Sequence, residues 1–113
     1  MFPLGERVIF AFIMRIIARN VLLNFWSMHP EAKVPLERWY RFVRAAQWNS
    51  TDDIQKAVPK VKVLNRERAR FEVTGGNYRL VAAFDFRRQI AFVKFIGTHA
   101  EYDRINALTI SQF

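Results

Sequence analysis

The strongest constraint on the fold is a run of β-forming sequence in the second half of the chain. Residues 70–74 alternate between polar and apolar side chains, and Gly75-Gly76-Asn77 follows as a turn. Residues 77–86 and 89–97 are then rich in Phe, Val, Ile and Tyr, with Arg87-Arg88 between them. The pattern predicts a strand, a turn and an antiparallel hairpin.

Helix signals precede this sheet. Asn20 is the expected N-cap of a helix reaching about Met28, because His29-Pro30 cannot continue it. Pro35 fits the first turn of a second helix reaching about Gln47, whose apolar residues recur at i, i+3, i+4 and i+7. Ser50 or Thr51 is the expected cap of a short third helical turn.

A capping box, Thr98-His99-Ala100-Glu101, follows the last strand and predicts a short final helix over Tyr102–Leu108. No repeat, linker or low-complexity segment interrupts the sequence, and a chain of 113 residues can bury one real core. We therefore expect a single α+β domain over residues 1–113. In this predicted arrangement, an N-terminal strand and two helices pack on an antiparallel β-sheet, and a short helix follows at the C-terminus.

Residues 1–13 are a possible extension of this domain. The apolar run that begins within them extends from Val8 to Met14, which is far short of the roughly 20 residues that span a bilayer. It is also a poor signal peptide, because Glu6 cancels the charge of Arg7 and no small-residue cleavage site follows. Two readings stay open: Phe10–Ile17 is a first strand with an unusual leader, or Met14 is an alternative start.

The charge balance favours a polyanionic partner. The net charge is +8 and the pI is near 10.6, which suits nucleic acid, an anionic membrane or an acidic protein. Cysteine is absent, so disulfides and cysteine-based metal sites are excluded, and the presence of only two histidines argues against a multi-histidine metal centre.

Much of this charge lies between Lys56 and Arg70, where six basic residues face the single acid Glu67. Such a segment can neutralise several phosphates, and a solvated loop is the alternative. The candidate phosphate-binding residues are Lys60, Lys62, Arg66, Arg68 and Arg70.

The hairpin adds a geometric prediction. With Arg87-Arg88 as a two-residue turn, Arg79 faces Ile96 and Val81 faces Lys94, so that Arg79 and Lys94 share a face of the sheet. A four-residue turn keeps this register, whereas a three-residue turn separates the two cations. The opposite face is expected to pack on the helices through Tyr78, Leu80, Phe84, Phe86, Val93 and Phe95.

His99 and Tyr102 follow Lys94 closely in the sequence. Their i, i+3 spacing puts them on one side of the last helix, beside the two cations. Histidine is the side chain that titrates near neutral pH, so this is the candidate site for proton transfer. A histidine hydrogen-bonded at the helix start and a tyrosine packed in the core are the structural alternatives.

Two segments resemble the motifs of the HigB-type toxins of type II toxin–antitoxin systems, within the wider RelE/ParE-like superfamily. They are RFEVTGGNYRLV at 70–81 and KFIGTHAEYD at 94–103, and the resemblance extends from about Met14 to Leu108. The most specific part is G-N-x-R, at 76–79, followed by G-T-H-x-E-Y-D, at 97–103. The sequence departs at Glu72, where many relatives carry Asn, and at Gly75-Gly76, where many have a single glycine.

The resemblance implies a cytoplasmic mRNA interferase that cleaves mRNA, usually on the translating ribosome, and that a HigA-like antitoxin neutralises. No metal ion or other cofactor is implied, because RNA supplies its own 2′-hydroxyl nucleophile. Arg79 is then a phosphate clamp, Lys94 a point charge, His99 the proton shuttle and Tyr102 a base or orienting group, and Asn77 joins the RNA-binding candidates. The alternatives are a ParE-like toxin that binds a protein without cleaving RNA, and a small non-catalytic nucleic-acid-binding module.

Overall fold

The computed structural model describes residues 13–113, which form one mixed sheet with the larger helices on one face. The strands are β1 (Arg15–Ile17), β2 (Lys62–Val63), β3 (Arg68–Val73), β4 (Tyr78–Asp85) and β5 (Ile90–Thr98). The helices are α1 (Arg19–Met28), α2 (Lys33–Ala45), α3 (Thr51–Ala57) and α4 (His99–Tyr102), with a 3₁₀ turn over Pro30–Ala32. The sheet order is β1-β5-β4-β3-β2; β1 runs parallel to β5 and the other pairs are antiparallel. The predicted α+β class is confirmed.

The core lies between the helices and one face of the sheet. α2 buries Leu36, Trp39 and Val43, the i, i+3, i+7 stripe of an amphipathic helix. Trp39 packs edge-on against Phe71 of β3, with ring centroids 5.4 Å apart. Alternate residues of β3 and β4 complete the core, so the other side chains of these strands point to the opposite face. We call this second face the open face.

The hairpin register agrees with the prediction only at its turn end. Asp85 pairs with Ile90, so the connection has four residues and keeps the expected register as far as Ala82. A bulge between Val81 and Ala82 then shifts the pairing by one residue. Arg79 therefore faces Gly97, and Val81 faces Phe95. The predicted partners Ile96 and Lys94 were wrong, because counting outward from a turn cannot detect an inserted residue.

The bulge also changes the face to which Phe95 belongs. The sequence pattern placed Phe95 among the residues packed on the helices, which is wrong. A one-residue shift moves a side chain to the other face of a strand. Phe95 instead lies on the open face and packs edge-on against Tyr102 of α4, with ring centroids 6.1 Å apart.

The C-terminal helix is shorter than predicted. The capping box is present, but α4 ends at Tyr102 and does not continue to Leu108. The following residues 103–113, here called the C-terminal strap, cross the open face. Nη1 of Arg68 donates to the carbonyls of Ala107 (3.0 Å) and Ile110 (2.8 Å), and the Gln112 N–H donates to the Lys94 carbonyl (2.8 Å). These contacts hold the strap against the sheet, while short turns rather than a continuous helix pair its own backbone groups.

The other predicted boundaries need smaller corrections. α1 begins at Arg19 with Ala18 as its N-cap and without a side-chain cap, so the predicted cap at Asn20 was wrong. Ser50 does cap α3, accepting from the Asp53 N–H at 3.4 Å. The first strand is β1, and residues 10–12 of the predicted strand lie outside the described residues. No helix within residues 13–113 is long and apolar enough to cross a membrane.

Candidate active site on the open face

Directly paired residues form three rows across the open face. Residues opposite each other in a ladder share a face, so the rows follow from the register. They are Glu72–Arg79–Gly97, Lys62–Arg70–Val81–Phe95 and Arg68–Ala83–Phe92. Four of the predicted phosphate-binding or catalytic cations, Lys62, Arg68, Arg70 and Arg79, therefore share one face of the sheet.

Two of these arginines meet at Tyr102. The guanidinium carbon of Arg79 lies 5.2 Å from the centroid of the Tyr102 ring, and that of Arg70 lies 5.4 Å from it. Phe95 supports the same ring from the sheet. Cation–π contact with one ring holds the two guanidinium groups near each other despite their like charge.

The charge of this cluster is only partly neutralised. Oε2 of Glu72 lies 3.6 Å from Nη2 of Arg70. This carboxylate offsets one of the two positive charges of Arg70 and Arg79. Across residues 13–113, the buried Nε atoms of Arg70 and Arg79 find no hydrogen-bond partner. A buried guanidinium N–H without an acceptor is costly, so the cluster is suited to receive an anion.

The start of α4 is fixed by three hydrogen bonds. Thr98 Oγ1 accepts from the Glu101 N–H (3.1 Å), and Glu101 Oε1 accepts from the Thr98 N–H (2.8 Å). The His99 N–H donates to the carbonyl of Asn77 in the β3–β4 turn (3.2 Å). Asn77, predicted to bind RNA, thus also ties this turn to α4. The capping box sets the direction in which Tyr102 projects over the sheet.

His99 lies one helical turn before Tyr102, and its side chain is about half exposed. Its Nδ1 is 3.2 Å from Oδ2 of Asp103. A carboxylate at Nδ1 orients the imidazole and leaves Nε2 as the nitrogen available for proton transfer. Asp103 is the last residue of the G-T-H-x-E-Y-D motif, and its i+4 spacing from His99 is the sequence signal for this pairing.

Lys94 is the predicted site residue that the structure places apart. It is the extra, unpaired residue of the bulge on β5, between Val93 and Phe95, and it lies three residues before Gly97, which is about 10 Å along a strand. Its Nζ lies 5.5 Å from the centroid of the Phe92 ring, in a hollow that Arg66 and Arg68 also line. The structure thus brings Arg79, Arg70 and Tyr102 together, while Lys94 belongs to a neighbouring part of the same face.

The basic segment between Lys56 and Arg70 divides between two sides of the molecule. Lys62, Arg66, Arg68 and Arg70 reach the open face, whereas Lys60 lines a hollow beside Trp39 and Phe42 of α2. Lys56 pairs with Asp52 at 3.1 Å within α3.

A mixed five-stranded sheet with the larger helices on one face and a short C-terminal helix is the architecture of a small RelE-like domain. The family model for the HigB toxin, the RelE-like toxic component of a toxin–antitoxin system, matches residues 32–105. Because this match covers well over half of the chain, the protein belongs to the HigB toxin family.

One similar relative is the mRNA interferase HigB of Escherichia coli O6:H1 strain CFT073. It is 26% identical over 94 residues, which cover 81% of this chain and 91% of the relative.

Proposed function

We propose that this chain is a metal-independent endoribonuclease that cleaves mRNA on the translating ribosome and is neutralised by a HigA-like antitoxin. Membership of the HigB toxin family and the name of the relative from E. coli support an mRNA interferase. The observation that carries the proposal is the pair of guanidinium groups at 5.2 and 5.4 Å from the Tyr102 ring centroid, with His99 on the same short helix. These groups match the demands of phosphodiester cleavage.

The reaction needs no nucleophile from the protein. The 2′-hydroxyl loses its proton to a base and attacks the adjacent phosphorus, while the bond from phosphorus to the 5′-oxygen breaks. The departing 5′-oxygen takes up a proton, and a 2′,3′-cyclic phosphate remains on the other fragment. Arg79 and Arg70 stabilise the dianionic phosphorane because their charge is fixed and already in place.

Proton transfer is assigned to His99. Asp103 at Nδ1 orients the ring, and Nε2 exchanges the proton with the substrate. The Tyr102 ring holds the arginines, and its hydroxyl orients the phosphate. Lys94 contacts a neighbouring phosphate of the same strand, because it lies about three residues along β5 from the Arg79 row.

The first test compares Arg79→Ala and His99→Ala with the unchanged chain. Removing one stabilising donor typically costs about 10²–10³ in rate. We therefore expect both variants to lose growth arrest and new mRNA ends by that factor while keeping the wild-type circular dichroism and antitoxin binding. Full RNA cleavage by Arg79→Ala at matched expression would refute the site. Growth arrest by the unchanged chain without new RNA ends would instead favour a ParE-like toxin.

Tyr102→Phe separates the role of the ring from that of the hydroxyl. The variant keeps the ring under the arginines, so folding should be unchanged while the cleavage rate falls. Tyr40→Phe is the matched control, because the Tyr40 ring also lies between two arginines, with Arg19 at 5.4 Å and Arg44 at 5.8 Å. Equal effects of the two substitutions would show that the Tyr102 hydroxyl has no special role.

The antitoxin and ribosome are tested by binding measurements. A basic open face is covered best by an acidic partner, so the association rate with the antitoxin should fall as salt rises. Cleavage of the same message with and without ribosomes tests the requirement for translation. Equal cleavage of free and translated mRNA would contradict that part of the proposal.

A further inference from the structure

A second hollow lies on the open face toward the β4–β5 turn. Its volume is about 640 Å³, and its walls come from β3, β4, β5 and the turns beside them. Ala83 is paired between Arg68 and Phe92, so the small side chain leaves a depression between two larger ones. The hollow is therefore a consequence of the residue sizes in one row of the sheet.

Phe92 is a partly exposed aromatic ring on the wall of this hollow. On its other side it pairs with Ile17, whose side chain is 44% exposed, so an apolar strip continues across the open face. Neighbouring Phe84, by contrast, is buried in the core on the helix side. A contiguous apolar strip beside basic residues, unlike a single exposed ring, is suited to a ligand.

The charges around the hollow are mainly positive. Arg66 and Lys94 line it, and the Lys94 ammonium lies 5.5 Å from the centroid of the Phe92 ring. Asp85 and Glu67 also line the hollow, but Asp85 is bound by Arg88, whose Nε is 2.7 Å from Oδ2. Hydrogen bonds from the Arg88 backbone and side chain lower the pKa of Asp85, so its charge is already paired.

We propose that this hollow binds one unpaired base of single-stranded RNA, which stacks on Phe92 while Lys94 and Arg66 hold the flanking phosphates. A flat apolar ring beside ammonium and guanidinium groups is the combination by which proteins bind single-stranded RNA. The inference rests on the proposed function and adds a second point at which that substrate is held.

The distance from the arginine pair suits one continuous strand. Ala83 follows Arg79 by four residues on β4, which corresponds to about 13 Å. This is about four nucleotides of a stacked strand at roughly 3.4 Å each, and fewer when the strand is extended. The base in the hollow is therefore a near neighbour of the scissile phosphate rather than part of the reacting group.

The test measures binding separately from cleavage. The probe is a fluorescein-labelled, fully 2′-O-methylated RNA decamer, which has no 2′-hydroxyl and cannot be cleaved. Loss of base–aromatic stacking should weaken the affinity of Phe92→Leu for the decamer by about 5- to 150-fold. Phe92→Trp keeps an aromatic ring and should bind with an affinity near that of wild type. Phe42→Leu is the matched control, because Phe42 is 50% exposed on α2 and should leave RNA binding unchanged.

Salt dependence distinguishes stacking from charge. Lys94→Gln should reduce the slope of log affinity against log salt by about 0.7, the value for one phosphate contact on a single strand. Phe92→Leu should leave that slope unchanged. Affinity of Phe92→Leu within twofold of wild type, or equal losses for Phe92→Leu and Phe42→Leu, would overturn the inference.

Failure of the proposed base-binding hollow can be distinguished from failure of the proposed nuclease function. If the unchanged chain cleaves no RNA but binding still depends on Phe92, the base-binding hollow stands and the nuclease proposal fails. If the unchanged chain cleaves RNA and Phe92→Leu binds the decamer as well as wild type, the inference about the hollow fails alone.

Discussion

Gly97 gives the sharpest test of how the fold positions the candidate active site. It lies opposite Arg79 in the β4–β5 ladder and directly before the capping box of α4. A Cβ added at Gly97 lies 2.7 Å from Oε1 of Glu101 and 2.8 Å from Cζ of Phe95. Oε1 of Glu101 is the atom that accepts from the Thr98 N–H, and Phe95 supports the Tyr102 ring. Gly97→Ala therefore displaces both supports of the C-terminal helix.

The expected size of the effect follows from these two contacts. Loss of a helix cap costs about 1 kcal/mol, and an extra methyl group in a packed site costs about 1–3 kcal/mol. Gly97→Ala should thus lower the free energy of unfolding by about 2–4 kcal/mol and the cleavage rate together with it. Gly75→Ala is the control, because Gly75 has a φ of +61° but no atom within 4 Å of the added Cβ. Its left-handed backbone costs about 1–2 kcal/mol without moving α4.

Urea unfolding and RNA cleavage are measured on both variants at a temperature where each is fully folded. Gly97→Ala should lose cleavage under those conditions, whereas Gly75→Ala should keep it despite its lower stability. Wild-type cleavage by folded Gly97→Ala would refute the argument that the capping box positions Tyr102 and His99. Equal loss of cleavage in both glycine variants would show that stability alone controls the activity.

Three further predictions concern the charged residues around the sheet. Arg68→Leu removes the two side-chain hydrogen bonds to the carbonyls of Ala107 and Ile110. Amide exchange in the C-terminal strap should therefore accelerate while exchange in the sheet core does not, and unchanged exchange in the strap would contradict this. The hydrogen bond from Tyr78 lowers the pKa of Glu31 below its ordinary value, so the stability that it contributes is present above about pH 4.5 and is lost as the pH falls through the lowered value. The difference in urea midpoint between wild type and Tyr78→Phe should therefore shrink between pH 7 and pH 3, and a constant difference would argue against the coupling. Lys62→Gln should lower the salt slope of RNA binding by about 0.7, whereas Lys60→Gln, on the other side of the molecule, should leave it unchanged; equal slopes for the two variants would contradict the assignment of Lys62 to the RNA-binding face.

Local sequence signals predicted most of the elements, because capping, turn and alternation patterns act over a few residues. The cap at Ser50, the turn at Gly75-Gly76 and the capping box at Thr98 are all present in the structure. The end of α4 was not predictable in this way. It depends on Arg68, far away in the sequence, whose guanidinium holds the carbonyls of the C-terminal strap. Long-range hydrogen bonds of this kind override the helix propensity of residues 103–108.

The candidate site shows the same division between local and long-range information. That Arg79 and Tyr102 belong together could be inferred from a strand and a helix start that are joined by one hairpin. That Arg70 completes the pair depends on the pairing of β3 with β4, which places Arg70 opposite Val81 and one row from Arg79. Lys94 lies apart from Arg79 because of a β-bulge, and no residue type in this segment predicts that bulge. The bulge pairs Gly97 with Arg79 and places Phe95 against Tyr102. The irregularity that made the predicted register wrong therefore also supports the ring that both arginines contact.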